Sequence, residues 1–318
     1  MQVPQFKSVI KFLDFFKEEK VCRAYLERKR WNGKPTCPHC HAENPYTTNR
    51  GYKCSNKECY RKFTVTIGTI FENSNIKLRY WFAAIQVATA HKKGISSYQL
   101  ARDLGVTQKT AWFMLHRIRE MMRREAPKLL GNMVEVDETF VGGKDKNRHI
   151  DKRTASHMPR GALLTRGTPT KWQDRKVAVV GILERGGKVA AKVIPNVQEK
   201  TLIPIVKEHV STDATVMTDE HVGYSKLTSH GYTHETIRHS ADEYVRGLVH
   251  TNSIEGFWSL FKRGIIGIYH FTSEKHLQKY VDEFAYRYNT RKITDSERFS
   301  FTLTQCIGRL TYANLITA

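Results

Sequence analysis

Residues 133–143, MVEVDETFVGG, alternate apolar and acidic side chains. In an extended strand this puts Val134 and Val136 on one face and Glu135 and Asp137 on the other. An aspartate in mid-strand, set among apolar residues, loses hydration on folding, and something must offset that loss. After a basic, glycine-containing stretch at 142–175, expected to be a loop or insertion, come KVAVVGILE (176–184) and KVAAKVI (188–194). They are joined across Arg185-Gly186-Gly187 and read as a β-hairpin. VQEKTLIPIVKEHV (197–210) has helical spacing, and ATVMTDEHVGY (214–224) reads as a short strand ending at Asp219.

The next decisive segment is VHTNSIEGFWSLFKRG (249–264). Ile254, Phe257, Trp258 and Phe261 recur at helical spacing and form a core-facing side. Asn252, Glu255, Ser259 and Lys262 fall along one stripe of the other side. Further helices are expected at 273–291 and at about 298–313. The order strand, hairpin, helix, strand, long helix suits an α+β domain with a mixed sheet of the ribonuclease-H type and flanking helices. Aspartates from its first and fourth strands, Asp137 and Asp219, would then lie side by side. Two neighbouring carboxylates repel unless a cation sits between them, and Mg²⁺ or Mn²⁺ suits such oxygen ligands. Glu255 could bring a third carboxylate to the same ions, and Lys262, two turns along the stripe, could hold a phosphate. Two-metal phosphodiester chemistry needs such a set.

The chain has 318 residues and a net charge of +21 at pH 7, which points to an anionic polymer as partner. The charge is uneven. Residues 1–75 carry 14 basic and 7 acidic side chains, and residues 76–131 carry 11 and 3, so +15 of the +21 lies in the first 131 residues. No segment approaches the roughly 18 consecutive apolar residues of a membrane span. Charges interrupt MQVPQFKSVIKFLDFF at the N-terminus, which makes a poor export signal. A cytoplasmic, nucleoid-associated protein without a membrane partner is expected.

Four of the six cysteines cluster as Cys37-x2-Cys40 and Cys54-x4-Cys59. Two tight turns, each presenting two thiolates, form the closed tetrahedral site of a zinc ribbon, with Zn²⁺ in a structural role because no ligand position is left open. Cys22 and Cys306 are isolated and read as core residues.

Behind the ribbon, KLRYWFAAIQVATAHK (77–92) reads as a helix. Ser96 or Ser97 can cap a second helix through Leu104, Gly105 supplies a turn, and Thr107 can cap a third running to about Arg124. This is the order of a helix-turn-helix, whose second helix enters the major groove of double-stranded DNA. On that reading Gln108, Lys109 and Trp112 face DNA, and Arg117, Arg119, Arg123 and Arg124 are phosphate contacts. A helical hairpin with a solvated basic face is the alternative.

Taken in order, the zinc ribbon running into GTIF, then VEVDETFVGGK, TDEHVGY and HTNSIEGFWSLFKRGIIGIYH, resemble DDE transposases of bacterial insertion sequences. The match is to the ISXO-like group related to eukaryotic Merlin elements, and it covers nearly the whole chain. The resemblance implies that Asp137 and Asp219 are the first two catalytic acids. It leaves the third position open between Asn252 and Glu255; Glu255 is preferred because a carboxylate ligates Mg²⁺ better than an amide. Glu138 and Glu220 are second choices, expected to point away. The implied reaction is cleavage at the ends of a mobile element followed by attack of the freed 3′-hydroxyl on target DNA, by a homo-oligomer assembled on DNA. The expected division is a helical start and zinc ribbon (1–75), a helix-turn-helix module (76–131) and a catalytic domain (132–318). The rivals are a non-catalytic DNA-binding regulator derived from a transposase and a structure-selective nuclease of the same fold.

Overall fold

Two helices, α1 (Val9–Phe15) and α2 (Glu19–Trp31), open the chain. Ser8 caps the first by accepting the Lys11 N–H, and Asn32, in the left-handed region at φ 48°, ends the second. The structure is a computed structural model that describes residues 4–123, 127, 129–142, 176–237 and 250–317. After α2 the strands β1 (Tyr46–Thr48), β2 (Gly51–Lys53) and β3 (Lys62–Phe63) form a small antiparallel sheet in sequential order.

Three helices follow: α3 (Leu78–Ala90), α4 (Ser97–Leu104) and α5 (Gln108–Met122). Their ends are those expected from the sequence. Ser96 accepts the Gln99 N–H, Gly105 closes α4 at φ 64°, and Thr107 accepts the Thr110 N–H.

Farther along the chain lie β4 (Met133–Val141), β5 (Val177–Glu184), β6 (Val189–Ile194), α6 (Glu199–His209), β7 (Thr215–Thr218), β8 (Thr233–Thr236), α7 (Asn252–Gly264) and α8 (Glu274–Asn289). The five strands form a mixed sheet in the order β6-β5-β4-β7-β8. β4, β5 and β6 are antiparallel neighbours, whereas β7 runs parallel to β4, and β8 parallel to β7. Strand β8 was not expected: THET has little apolar content, and its pairing to β7 makes it a strand.

Helices cover both faces of this sheet. On one, Val134, Val136, Val180 and Ile182 pack with Leu202 and Val206 of α6 and with Tyr224. On the other, Val179, Leu183 and Val189 pack with Ile254, Phe257, Trp258 and Phe261 of α7 and with Val281 and Phe284 of α8. Buried on both faces, β5 carries the near-continuous apolar run seen in its sequence.

The chain divides into two compact units, Met1–Glu125 with Thr290–Ala318, and Ala126–Asn289. The second unit thus begins near the boundary read from sequence but ends earlier. Residues 290–318 belong with the N-terminal segment because helix α9 (Asp295–Thr304) carries Phe299 into its aromatic core. The Phe299 ring lies 4.7 Å from Phe12, 5.4 Å from Phe82 and 6.2 Å from Tyr25. The single helix expected at 298–313 is instead α9 and a short α10 (Tyr312–Thr317). Between them Ile307 bridges to Thr69 and Gly308 takes a φ of 121°, which breaks the helical path.

Candidate functional site

The cysteines come together as their spacing predicts. The four sulfur atoms of Cys37, Cys40, Cys54 and Cys59 all lie within 4.8 Å of one another. The Cys37 and Cys59 sulfurs are 3.9 Å apart, and those of Cys40 and Cys54 are 3.4 Å apart. A tetrahedral ion with Zn–S bonds of about 2.3 Å sets its sulfurs about 3.8 Å apart, so the group fits Zn²⁺. Left-handed backbone at His41 and Tyr60, each just after the second cysteine of its pair, turns the two thiols inward. Trp31, Tyr52 and Phe63 pack beneath them.

The residues expected to face DNA part company on helix α5. Lys109 is exposed, with its ammonium 4.8 Å from the Tyr312 ring centre. Gln108 and Trp112 are half-buried near the same end of the helix; Gln108 donates to Ser97 Oγ, and Trp112 meets the His116 ring edge-on. Arg123 is exposed beside Glu120, and Arg124 lies outside the described residues. Arg117 and Arg119 do not fit the expected role, being only 5% and 3% exposed. Arg117 donates to the carbonyls of Ile70, Glu72 and Leu310. Its guanidinium satisfies backbone acceptors inside its own unit, so it is a structural cation and not a phosphate contact.

The acidic residues lie on the sheet of the second unit. Asp137 is half-buried on the α7 face of β4, paired with Gly181 of β5. Parallel β7 pairs with β4 through Met133↔Thr215, Val134↔Val216 and Glu135↔Met217. Continuing that register by two residues sets Asp219, just past the end of β7, level with Asp137. Asp219 Oδ1 accepts the His221 N–H, which turns the chain away from the strand. Burial pushes the Asp137 carboxyl up to about 6, and the nearby Asp219 and Glu255 carboxylates push the same way, while Lys262 opposes them. Two acids and one lysine, up to 125 positions away in sequence, therefore act on Asp137.

Asn252, Glu255, Ser259 and Lys262 are all exposed along α7, as the stripe predicts. Glu255 is steadied by the buried Thr251, whose hydroxyl donates to its Oε1 at 2.9 Å. The opposite side of the helix comes very close to the sheet at Gly181. A Cβ there would lie 2.5 Å from the Trp258 ring and 2.8 Å from Ile254 Cδ1. Glycine opposite Asp137 thus allows the helix that bears Glu255 and Asn252 to seat beside it.

Glu138 and Glu220 are the second choices among the acids, and Glu135 had no role assigned from sequence. Glu138 does face away from Asp137, toward the α6 side, where Tyr224 donates to it at 2.7 Å. Its carboxyl is nevertheless pushed up to about 7, by burial first and then by Asp219 and Asp137, with the Tyr224 hydrogen bond opposing. Glu220 is exposed one residue beyond Asp219. Glu135, fully buried on the Asp137 face, accepts the N–H groups of Ser253 and Ile254, the Ser253 hydroxyl and the Arg185 guanidinium. The sequence held a signal for it: a charge at a strand position whose face is covered must find a partner.

Among the described residues, the four cysteines are the one group of three or more thiol, imidazole or carboxylate ligands gathered within 4.8 Å.

Comparisons with known proteins place two domains on the chain. Residues 128–289 match the model of the ISXO2-like transposase domain, and residues 17–62 match a transposase zinc-ribbon domain. A Halobacterium salinarum relative, an uncharacterized protein in transposable element ISH50, is 32% identical over 256 residues, covering 78% of this chain and 83% of that one. An uncharacterized transposase-like protein of Haemophilus influenzae is 33% identical over 106 residues, 33% of this chain and 85% of that one. A chain in the crystal structure of a pre-cleavage Mos1 transpososome aligns over 76% of this chain and 82% of its own at 15% identity, with a TM-score of 0.25. No helix among the described residues is long and apolar enough to cross a membrane. The domain match spans half of the chain and the ribbon match adds the cysteine cluster, so the chain belongs to the ISXO2-like transposase family.

Proposed function

We propose that the chain cleaves the phosphodiester at each end of a mobile DNA element and joins the freed 3′-hydroxyl to target DNA. The catalytic unit is a ribonuclease-H-like fold: an antiparallel β4-β5-β6 meander extended by parallel β7 and β8, with helices on both faces. The observation that carries the reading is the parallel β4–β7 register, whose continuation would set Asp219 level with Asp137, together with the charge of Glu255 acting on Asp137. Such a concentration of negative charge fits divalent cations. Mg²⁺ or Mn²⁺ held by Asp137, Asp219 and Glu255 would supply activation of water or of a 3′-hydroxyl and stabilisation of the leaving oxygen. Lys262, whose charge opposes the acids at Asp137, binds the scissile phosphate. Asn252, one helical turn before Glu255, competes with it for the third ligand position.

DNA ends are gripped by the N-terminal unit. Helices α4 and α5 serve as a helix-turn-helix, with Lys109, Gln108 and Trp112 at the leading end of α5 and Arg123 on phosphate. A homo-oligomer on DNA brings two ends together.

The test is cleavage of end-containing DNA at saturating Mg²⁺. Asp137→Asn, Asp219→Asn and Glu255→Gln should abolish cleavage with end binding intact, since the amides keep shape and remove charge. A dead Asn252→Ala beside an active Glu255→Gln would transfer the third position to Asn252. Products lacking strand transfer would point to a nuclease, and binding without any cleavage to a regulator.

A further inference from the structure

The acids of the proposed active site sit on separate elements, and the structure joins those elements at one buried point. Glu135 lies two residues before Asp137 on the same face of β4 and is 0% exposed. Its Oε2 accepts the backbone N–H groups of Ser253 and Ile254, both at 2.9 Å. Those are the second and third residues of α7, whose first-turn N–H groups have no partner within the helix. Oε1 accepts Ser253 Oγ at 3.0 Å and Arg185 Nε at 2.6 Å. From the β5–β6 turn, Arg185 also reaches the carbonyl of His250 at 2.7 Å and the sulfur of Met217, in β7, at 3.0 Å.

One carboxylate and its arginine therefore touch the strand of Asp137, the strand leading into Asp219 and the first turn of the helix bearing Asn252 and Glu255. A negative charge at a helix N-terminus is favourable, and here it comes from outside the helix. We infer that Glu135 is a positioning residue: it docks the first turn of α7 against β4 and so sets the distance from Glu255 to Asp137 and Asp219. It touches neither substrate nor cation and acts through the acids. This inference rests on the reading of those acids as ligands of divalent cations.

The substitution Glu135→Gln keeps the volume but leaves one acceptor oxygen where two are used. It also turns an amide N–H₂ toward either the α7 N–H groups or Arg185, donor against donor. Loss of a partner that orients metal ligands weakens metal affinity or activity by about 10–100-fold. In the full-length, zinc-loaded protein, Mn²⁺ binding measured by calorimetry should weaken by that factor. The kcat for cleavage of end-containing DNA should fall similarly, and KM for that DNA should stay within about twofold of the parent. High Mn²⁺ should restore part of the rate. Ser253→Ala removes one hydrogen bond to the same carboxylate and leaves the backbone bonds, so it should move both readouts the same way by about 2–10-fold. It decides the matter if Glu135→Gln does not fold. A lower melting temperature with unchanged Mn²⁺ affinity and kcat, in Ser253→Ala and in folded Glu135→Gln, would overturn the inference by leaving Glu135 a purely structural role. A parent protein that neither binds Mn²⁺ nor cleaves would instead sink the underlying reading of the acids.

Discussion

Replacing Asp137 by asparagine should stabilise the Mg²⁺-free protein at pH 8 while abolishing cleavage. In the folded chain the Asp137 carboxyl is raised from 3.8 to about 6, by burial, by Asp219 and by Glu255. A carboxyl raised on folding binds its proton more tightly in the native state, so stability falls as pH rises from about 4 to about 6, and the loss is complete above that window. A rise of that size corresponds to about 3 kcal/mol, which partial solvent exposure brings down to about 1–2 kcal/mol. Asparagine removes the charge but keeps the oxygen that accepts the Glu138 N–H at 2.8 Å. At about 2–4 °C per kcal/mol for a unit of this size, the variant should melt about 2–8 °C above the parent at pH 8. The gain should shrink toward zero at pH 4, where the parent carboxyl is mostly protonated when folded. Thermal unfolding followed by circular dichroism at both pH values, without Mg²⁺ or Mn²⁺, makes the measurement. Adding Mg²⁺ should raise the parent's melting temperature and not the variant's. An equal gain at pH 4 and pH 8, or none at pH 8, would refute the claim that charge crowding at Asp137 is a cost carried for cation binding.

Four further outcomes follow from the geometry. Purified protein should hold about one zinc per chain, since one four-thiolate site is present, and Cys54→Ser with Cys59→Ser should remove it in metal analysis. Gly181→Ala should cost about 1–3 kcal/mol from overpacking against Trp258 and Ile254, and in a cleavage assay it should lower kcat more than end binding. Lys109→Ala and Arg123→Ala should each weaken end binding and lower the salt dependence by about one phosphate contact. Arg117→Ala should instead lower the melting temperature of the protein, because it strips partners from three backbone carbonyls; a reduced salt slope with unchanged stability would return it to the DNA interface.

Where a residue's role depends on its near neighbours, the sequence alone determined it. The two-residue alternation of β4 put Asp137 opposite the valines because strand geometry allows no other choice. Ser96, Gly105 and Thr107 marked the ends of α4 and α5 because caps act within three or four residues. Cysteine spacing predicted a gathered thiolate set, and the polar stripe of α7 emerged exposed as its period required. Only the tertiary structure decided what long side chains meet. The carbonyl of Leu310, 193 positions away, helps make Arg117 a buried strut, and nothing in the basic run of α5 distinguishes it from Arg123. Phe299 drew residues 290–318 into the N-terminal unit through rings of α1, α2 and α3. Glu135 could be seen to need a partner, but the partner was the first turn of a helix more than a hundred residues on. Backbone periodicity and capping are short-range, set by sterics and hydrogen bonds within a turn or two. The burial of a charge and the partner that satisfies it are set by whatever the folded chain brings opposite, which no local pattern contains.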